Sequence, residues 1–335
     1  MMFGGRLENS YTRELSIDPL SDENECETGN HNQRTRPVHS GHFVRVAPTP
    51  LHEPYVVAVS EELALTLGLD VAELSSQRFL RIFSGNLEDS PGSGFESRGW
   101  ATPYALSIYG DPVIPPGTGP RGDGYGDGRA ISIGEVVLPD GVCDGSGGSG
   151  PGRMELQLKG GGKTPFSRGA DGAAVLRSSV REFLASEAMH ALGVPTTRAL
   201  SLIASASPAD VIMRPWYSAE NDGEEPDIMQ ANRRAITTRV ARSFLRVGQF
   251  ELYGRRAARG ERIGRKELEE LARHALKREY PALVPAAGQP LQPALRAMLR
   301  AASVRFAELA AHWLRVGYVQ SNFNADNCLV GGVTM

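Results

Sequence analysis

The sequence predicts an α+β fold in two lobes, a β-rich first part and a mainly helical second part. Three observations carry this expectation. Residues 130 to 159 and 197 to 214 hold short runs of strand type, residues 266 to 280 and 291 to 314 repeat apolar residues at helical spacing, and Met154 to Leu192 passes from one pattern to the other. At 335 residues, 41% hydrophobic and 22% charged, the chain is long enough to bury a large core. The expected division is an extended arm over 1–50, a first lobe over 51–215 and a helical lobe over 216–335.

The bulk properties exclude several classes. A net charge of −3 gives no pull toward nucleic acid or an acidic membrane surface. No run approaches the roughly 18 apolar residues of a membrane span. Three dispersed cysteines, Cys26, Cys143 and Cys328, fit a reducing intracellular setting and form neither a disulfide framework nor a zinc pattern. The N-terminus is acidic and lacks an apolar signal core, so no targeting peptide is visible.

In chain order, residues 1 to about 40 are polar and aperiodic and read as an extended arm or partly disordered segment without chemistry of its own. A strand-like run follows at Phe43 to Leu51, then a helix over Ser60 to Leu69 with Ser60 as its cap and Gly68 near its end. Residues 84 to 128 are loops with a short strand around Tyr104 to Tyr109. They end in Gly122-Asp-Gly-Tyr-Gly-Asp-Gly-Arg129, directly before a strand over Ala130 to Leu138. Glycines let backbone amides approach phosphates, although a glycine-rich surface turn has the same composition. Residues 139 to 152 read as a flexible insert between two strands.

The central stretch opens on a half-buried strand, with Met154, Leu156 and Leu158 on one face and Glu155, Gln157 and Lys159 on the other. A glycine-rich turn leads to a helix from about Ala173, whose apolar face is Leu176, Val180, Phe183, Leu184, Ala188, Ala191 and Leu192. Glu182 lies opposite that face among small residues and needs a partner. Lys159 is the candidate, because kinase-like enzymes hold a strand lysine against nucleotide phosphates with a helix glutamate. Only four of the 36 basic residues are lysines, which singles this one out, while an ordinary strand-to-helix salt bridge is the alternative. Gly160-Gly-Gly-Lys163-Thr164 is a turn and not a Walker loop, since Gln157 stands where that pattern needs glycine and Pro165 follows the threonine.

Further strands are expected at Thr197 to Ala204, Ala209 to Arg214 and Ala235 to Arg242, with an acidic loop at Asn221 to Asp227. Arg239 and Arg246 can each grip phosphate in a bidentate manner, or serve as surface cations. Near the end, Asn324-Ala-Asp326-Asn327 offers a carboxylate for proton abstraction and an amide oxygen for a hard cation such as Mg²⁺, or forms an Asx turn.

Together the N-terminal arm, the Gly126-Asp-Gly-Arg129 loop, LKGGGKTPFSRGADG, AVLRSSVREFLASEAMHALGVPTTRAL and the Asn324-Ala-Asp-Asn327 loop resemble the selenoprotein O family, also known as YdiU. The resemblance implies a kinase-like two-lobed fold that transfers AMP from ATP to protein hydroxyls with Mg²⁺. It implies nucleotide contacts by Gly126, Gly128, Arg129, Asp171 and Gly172, and phosphate contacts by Lys159, Arg239 and Arg246. Glu182 would partner the lysine, Asp326 accept the proton and Asn327 bind magnesium. Protein substrates with Ser, Thr or Tyr hydroxyls and an intracellular site, mitochondrial or cytoplasmic, come with it.

The residues themselves support ATP–Mg²⁺ phosphate chemistry; AMP transfer, in place of a kinase-type phosphoryl transfer or ATP binding without catalysis, is implied by the resemblance alone. In the family a second magnesium-binding aspartate, in an Asp-Tyr-Gly-Pro motif, falls directly after the position of Met335. The expectation is therefore a truncated member, weakly active or inactive as a single polypeptide.

Overall fold

The computed structural model describes residues 2–23, 31–88, 90, 92–108, 111–114, 122, 124–142, 144, 151–216 and 228–335. Helices α1 (Ser10–Glu14) and α2 (Leu20–Glu23) precede strands β1 (Val44–Val46) and β2 (Pro54–Val59). Three short helices follow, α3 (Glu61–Thr66), α4 (Val71–Leu74) and α5 (Gln77–Phe83). Then come β3 (Gly99–Ala101), β4 (Leu106–Ile108), β5 (Asp111–Val113), β6 (Ala130–Val137), β7 (Arg153–Lys159) and β8 (Ala174–Val175). Helix α6 (Leu176–Ala191) leads to β9 (Arg198–Ser205), β10 (Val211–Trp216) and β11 (Ile228–Ala241). The chain continues through α7 (Val247–Ala258), α8 (Arg262–Glu279) and α9 (Leu291–Val316).

A mixed α+β fold is observed, built on one large sheet in the order β1-β3-β6-β7-β11-β9-β2, with β8 and β10 also paired to β11. Its ladders are antiparallel. Strand alternation gives the sheet two different faces. Ile131, Ile133, Leu156, Leu158, Leu200, Ile203 and Ile236 join Leu63, Phe79, Ile82 and Phe83 of α3 and α5 in one core. A second core collects Trp100, Tyr253, Leu271 and Leu276, with α7 and α8 as its main walls.

The strand expected to be half-buried is covered on both sides: Glu155 is 4% and Gln157 1% exposed. The unexpected cover is a polar row packed beneath the helical region. Glu155 accepts from Ser132 Oγ at 2.5 Å and Phe244 N at 2.9 Å. Glu135, its cross-strand neighbour, accepts from Ser10 Oγ at 2.5 Å and Tyr11 N at 2.8 Å. Burial first, and the Glu135 charge second, push the Glu155 carboxyl up to about 7.

Other departures have local causes. The N-terminal arm is packed and not idle: Met2 and Phe3 enter the first core, Tyr11 and Leu15 the second. Isolated apolar anchors leave no periodicity in the sequence to announce this. Helix α6 begins at Leu176, and its buried stripe is Ser179 and Phe183 with Leu176 and Val180 beside them, whereas Leu184 and Leu192 are 62% and 53% exposed. Its second half is held by charge, through Glu187 to Arg198 at 2.7 Å and to the Ala199 amide at 2.9 Å, and by Met189 against Val194, Leu309 and Trp313.

Ser60 starts α3 without capping it, because its hydroxyl donates to Glu187 at 2.7 Å. Helices α4, α5 and α7 were not anticipated from periodicity, and β11 runs seven residues further toward the N-terminus than the expected Ala235 start. Tyr109, Cys26, Cys143, the acidic loop up to residue 227 and half of the 139–152 insert lie outside the described residues.

Candidate active site

The site starts at the C-terminal end of β7. Lys159 pairs across strands with Ala130 of β6 and Thr237 of β11, which fixes its backbone between two neighbours. Its ammonium reaches Glu182, one turn and a half into α6. Arg239, cross-strand from Gln157, places Nε 2.6 Å from the other oxygen of Glu182 and Nη1 3.2 Å from Gln157 Oε1. A register shift in the β9 ladder between Thr238 and Arg239 accompanies this placement.

One carboxylate therefore serves two cations, Arg239 buried and Lys159 partly exposed to the cleft. Burial would raise the Glu182 carboxyl, but Arg239 and Lys159 outweigh that and hold it below the usual carboxylate range. Burial and the Arg239 charge lower Lys159 to about 8, against the opposing pull of Glu182. The cluster keeps an unneutralised positive charge, a ready seat for an anion.

A glycine-rich loop forms the next wall. A Cβ on Gly126 would stand 2.4 Å from Thr102 O and 2.8 Å from the Phe166 ring, and one on Gly128 3.0 Å from Phe166 O. These glycines are needed first for packing on the 160–172 turn. Gly172, at φ 67°, has Gly162 O 2.1 Å from where a Cβ would sit. Asp171, just before it, accepts from Ala173 N at 3.0 Å and pairs with Arg214 at 3.1 Å.

The third wall joins the loop before α7 to the Asp–Asn loop. Arg246 is buried, with Nη2 2.8 Å from Asp127 Oδ1 and Nη1 donating to Asp326 O at 2.6 Å, over the face of Tyr104. Asp326 accepts from the Tyr125 hydroxyl at 3.0 Å through Oδ2. Asn327 donates through Nδ2 to Asn322 O at 2.9 Å. The adjacent Cys328 thiol is pushed up to about 12 by burial and by Asp326, which removes it as a nucleophile.

These walls enclose one cleft of about 640 Å³, the size class of small-molecule sites. Gly126, Gly128, Arg129, Lys159, Asp171, Gly172, Arg239, Arg246, Asp326 and Asn327 line it, and Glu182 stands behind Lys159 on a smaller adjoining cleft. Tyr125, Asp127, Arg168 and Arg214 also line it and were not singled out from sequence. Tyr125, Asp127 and Arg168 could have been, since they sit inside the Gly122–Arg129 and 158–172 stretches; Arg214 carries no local signal.

Among the described residues no group of three His, Cys, Asp or Glu side chains could hold a metal by itself. The donors present nonetheless fit a partial Mg²⁺ site. Asp326 Oδ1 is buried without a hydrogen-bond partner, and the Asn327 amide, its nitrogen engaged by Asn322, has an oxygen for a second hard ligand. Mg²⁺ normally completes such a set with phosphate oxygens and water. Among the described residues no helix is long and apolar enough to cross a membrane.

Residues 26–335 match the family model described as "Protein adenylyltransferase SelO". The "Protein nucleotidyltransferase YdiU" of Azoarcus sp. (strain BH72) is 41% identical over 330 residues, covering 98% of this chain and 53% of the relative. That of Xanthomonas axonopodis pv. citri is 39% identical over the same length and coverage. That of Xylella fastidiosa strain Temecula1 is 43% identical over 291 residues, 87% of this chain and 48% of the relative. The chain thus spans about half the length of the curated relatives it matches, and these relatives are bacterial, which gives no pointer to a mitochondrial location. The chain belongs to the SelO family of protein adenylyltransferases.

Proposed function

We propose that this cleft binds ATP with Mg²⁺ and that the protein transfers AMP from ATP to serine, threonine or tyrosine hydroxyls of other proteins. The carrying observation is the Lys159–Glu182–Arg239 cluster, one carboxylate under two cations, opening on the same cleft as Asp326. Lys159 and Arg239 neutralise phosphate charge, and Glu182 keeps both in place. Arg246 adds charge from the wall while fixing the Asp326 backbone. Gly126, Gly128, Arg129, Asp171 and Gly172 contact the nucleotide from the loop side.

Asn327 would hold Mg²⁺, which when bound neutralises charge on the phosphates. In the transfer step the acceptor hydroxyl gives its proton to Asp326, its oxygen bonds to the α-phosphorus, and the bond from that phosphorus to the bridging oxygen breaks. Pyrophosphate leaves. Positioning and electrostatics supply most of the rate in such chemistry. The same reading takes the fold as two-lobed and kinase-like, with the cleft between a first lobe and a helical lobe; β11 (Ile228–Ala241) pairs within the first lobe's sheet, which moves the division from 215/216 to beyond residue 241.

ATP labelled on the α- or on the γ-phosphate tests this. Label reaching protein from the α position alone is the expected result. Transfer from γ alone would replace it with a phosphotransferase. If neither label moves while ATP raises the melting temperature, the cleft binds nucleotide without catalysing transfer.

A further inference from the structure

We propose that Tyr125 is a positioning residue for Asp326, its hydroxyl tethering the carboxylate and linking the glycine loop to the Asp–Asn loop across the cleft. The inference rests on the reading of Asp326 as the proton acceptor, and it concerns a residue with no other assigned part in that reaction. The contact joins residues 201 positions apart, at 3.0 Å. Among the described residues it is the hydrogen bond that the Asp326 side chain makes.

The other restraints on this loop act on backbone. Arg246 Nη1 binds Asp326 O at 2.6 Å, Gly248 N binds Ala325 O at 2.8 Å and Val247 N binds Cys328 O at 2.9 Å. They place the Asp326 Cα and leave its side-chain torsions free. Tyr125 fixes those torsions by engaging Oδ2, so the buried and unpartnered Oδ1 is the oxygen left to take a proton or face a cation.

The tyrosine is itself held. Its ring meets Tyr104 edge-on at 5.3 Å and lies under the Arg168 guanidinium at 4.7 Å, and the residue is 8% exposed. Arg168 reaches over the ring from a left-handed backbone conformation, φ 51°, that a non-glycine residue rarely adopts.

Tyr125→Phe removes one oxygen and keeps the ring stack. With ATP labelled on the α-phosphate, kcat should fall roughly tenfold while KM for ATP stays within about twofold, the pattern of a group acting after binding. Asp326→Asn in the same assay should lower transfer by roughly 10²–10⁴-fold. An unchanged kcat in Tyr125→Phe with that loss in Asp326→Asn overturns the tether and leaves the proposed function standing; an Asp326→Asn as active as the native chain removes the proposed function itself. A second measurement needs no turnover. With fluorotyrosine at position 125, the fluorine resonance should move in Asp326→Asn, and a resonance that does not move overturns the tether whatever the transfer assay gives.

Discussion

The two sides of the cleft are built by different means. The Lys159 side is regular structure: a central strand, its neighbour β11 and the first turns of α6, with each functional group set by register or by helical phase. The Asp326 side is loop, and its order comes from side chains that cross long stretches of sequence, Arg246 to Asp326 O, Arg246 to Asp127 and Tyr125 to Asp326. A rigid sheet suits a group that must only present charge. A carboxylate that must take a proton in one geometry needs its loop tied down by many hands, and each tie is a separate point of failure.

The contrast predicts that the two sides fail differently. Asp326→Asn should lower transfer by roughly 10²–10⁴-fold, the usual contribution of a positioned acid or base, with ATP binding nearly unchanged. If ATP binding collapsed as well, the loop side would be a binding wall like the other. Next in size is Gly172→Ala. The new Cβ would meet Gly162 O at 2.1 Å in a left-handed backbone, so stability in urea should drop by about 1–3 kcal/mol. An unshifted urea midpoint would show that the turn yields freely.

The strand side also predicts a pH signature. Lys159 titrates near 8 without ligand, and bound phosphate anions raise its proton affinity. Below 8 the lysine is charged in both states and ATP affinity is level; above 8 binding must take up a proton, so affinity should fall by at most about tenfold per pH unit. A flat profile from pH 7 to 9.5 would detach Lys159 from the phosphates.

The smallest effect concerns Glu155, beneath the site. Its folded carboxyl is raised from 4.5 to about 7, so the folded state holds the proton longer than the unfolded one. That contribution is fully present below pH 4.5 and is lost as pH rises toward 7. Glu155→Gln should therefore flatten the melting temperature across that window. An unchanged slope would place the titration elsewhere.

The same contrast governs what could be read from residues alone. The Lys159 strand and the Glu182 helix were legible because periods of two and 3.6 are local, and the pair follows once both are placed. Arg239 could be named, but not as a competitor for Glu182, since that depends on the register of β11 against β7. The burial of Glu155 and Gln157 escaped notice because a strand pattern shows one apolar face and is silent on whether a polar face is covered. Leu184 and Leu192 misled for the opposite reason: their phase fits an apolar stripe, yet β9 meets that part of α6 with Arg198. Tyr125 and Arg168 sit inside the glycine-rich stretches 122–129 and 158–172, but their contact with one another and with Asp326 had no signal, as a motif does not mark a contact between distant loops.

The central claim is that Lys159 grips the phosphates of a nucleoside triphosphate. Calorimetric titration of Mg·ATP into the native chain and into Lys159→Ala at pH 7 tests it most directly. Loss of one charge-assisted contact, about 1.5–3 kcal/mol, should weaken binding by roughly tenfold to a hundredfold. Equal affinity in the two proteins would make the Lys159–Glu182 pair a structural salt bridge and would contradict the account.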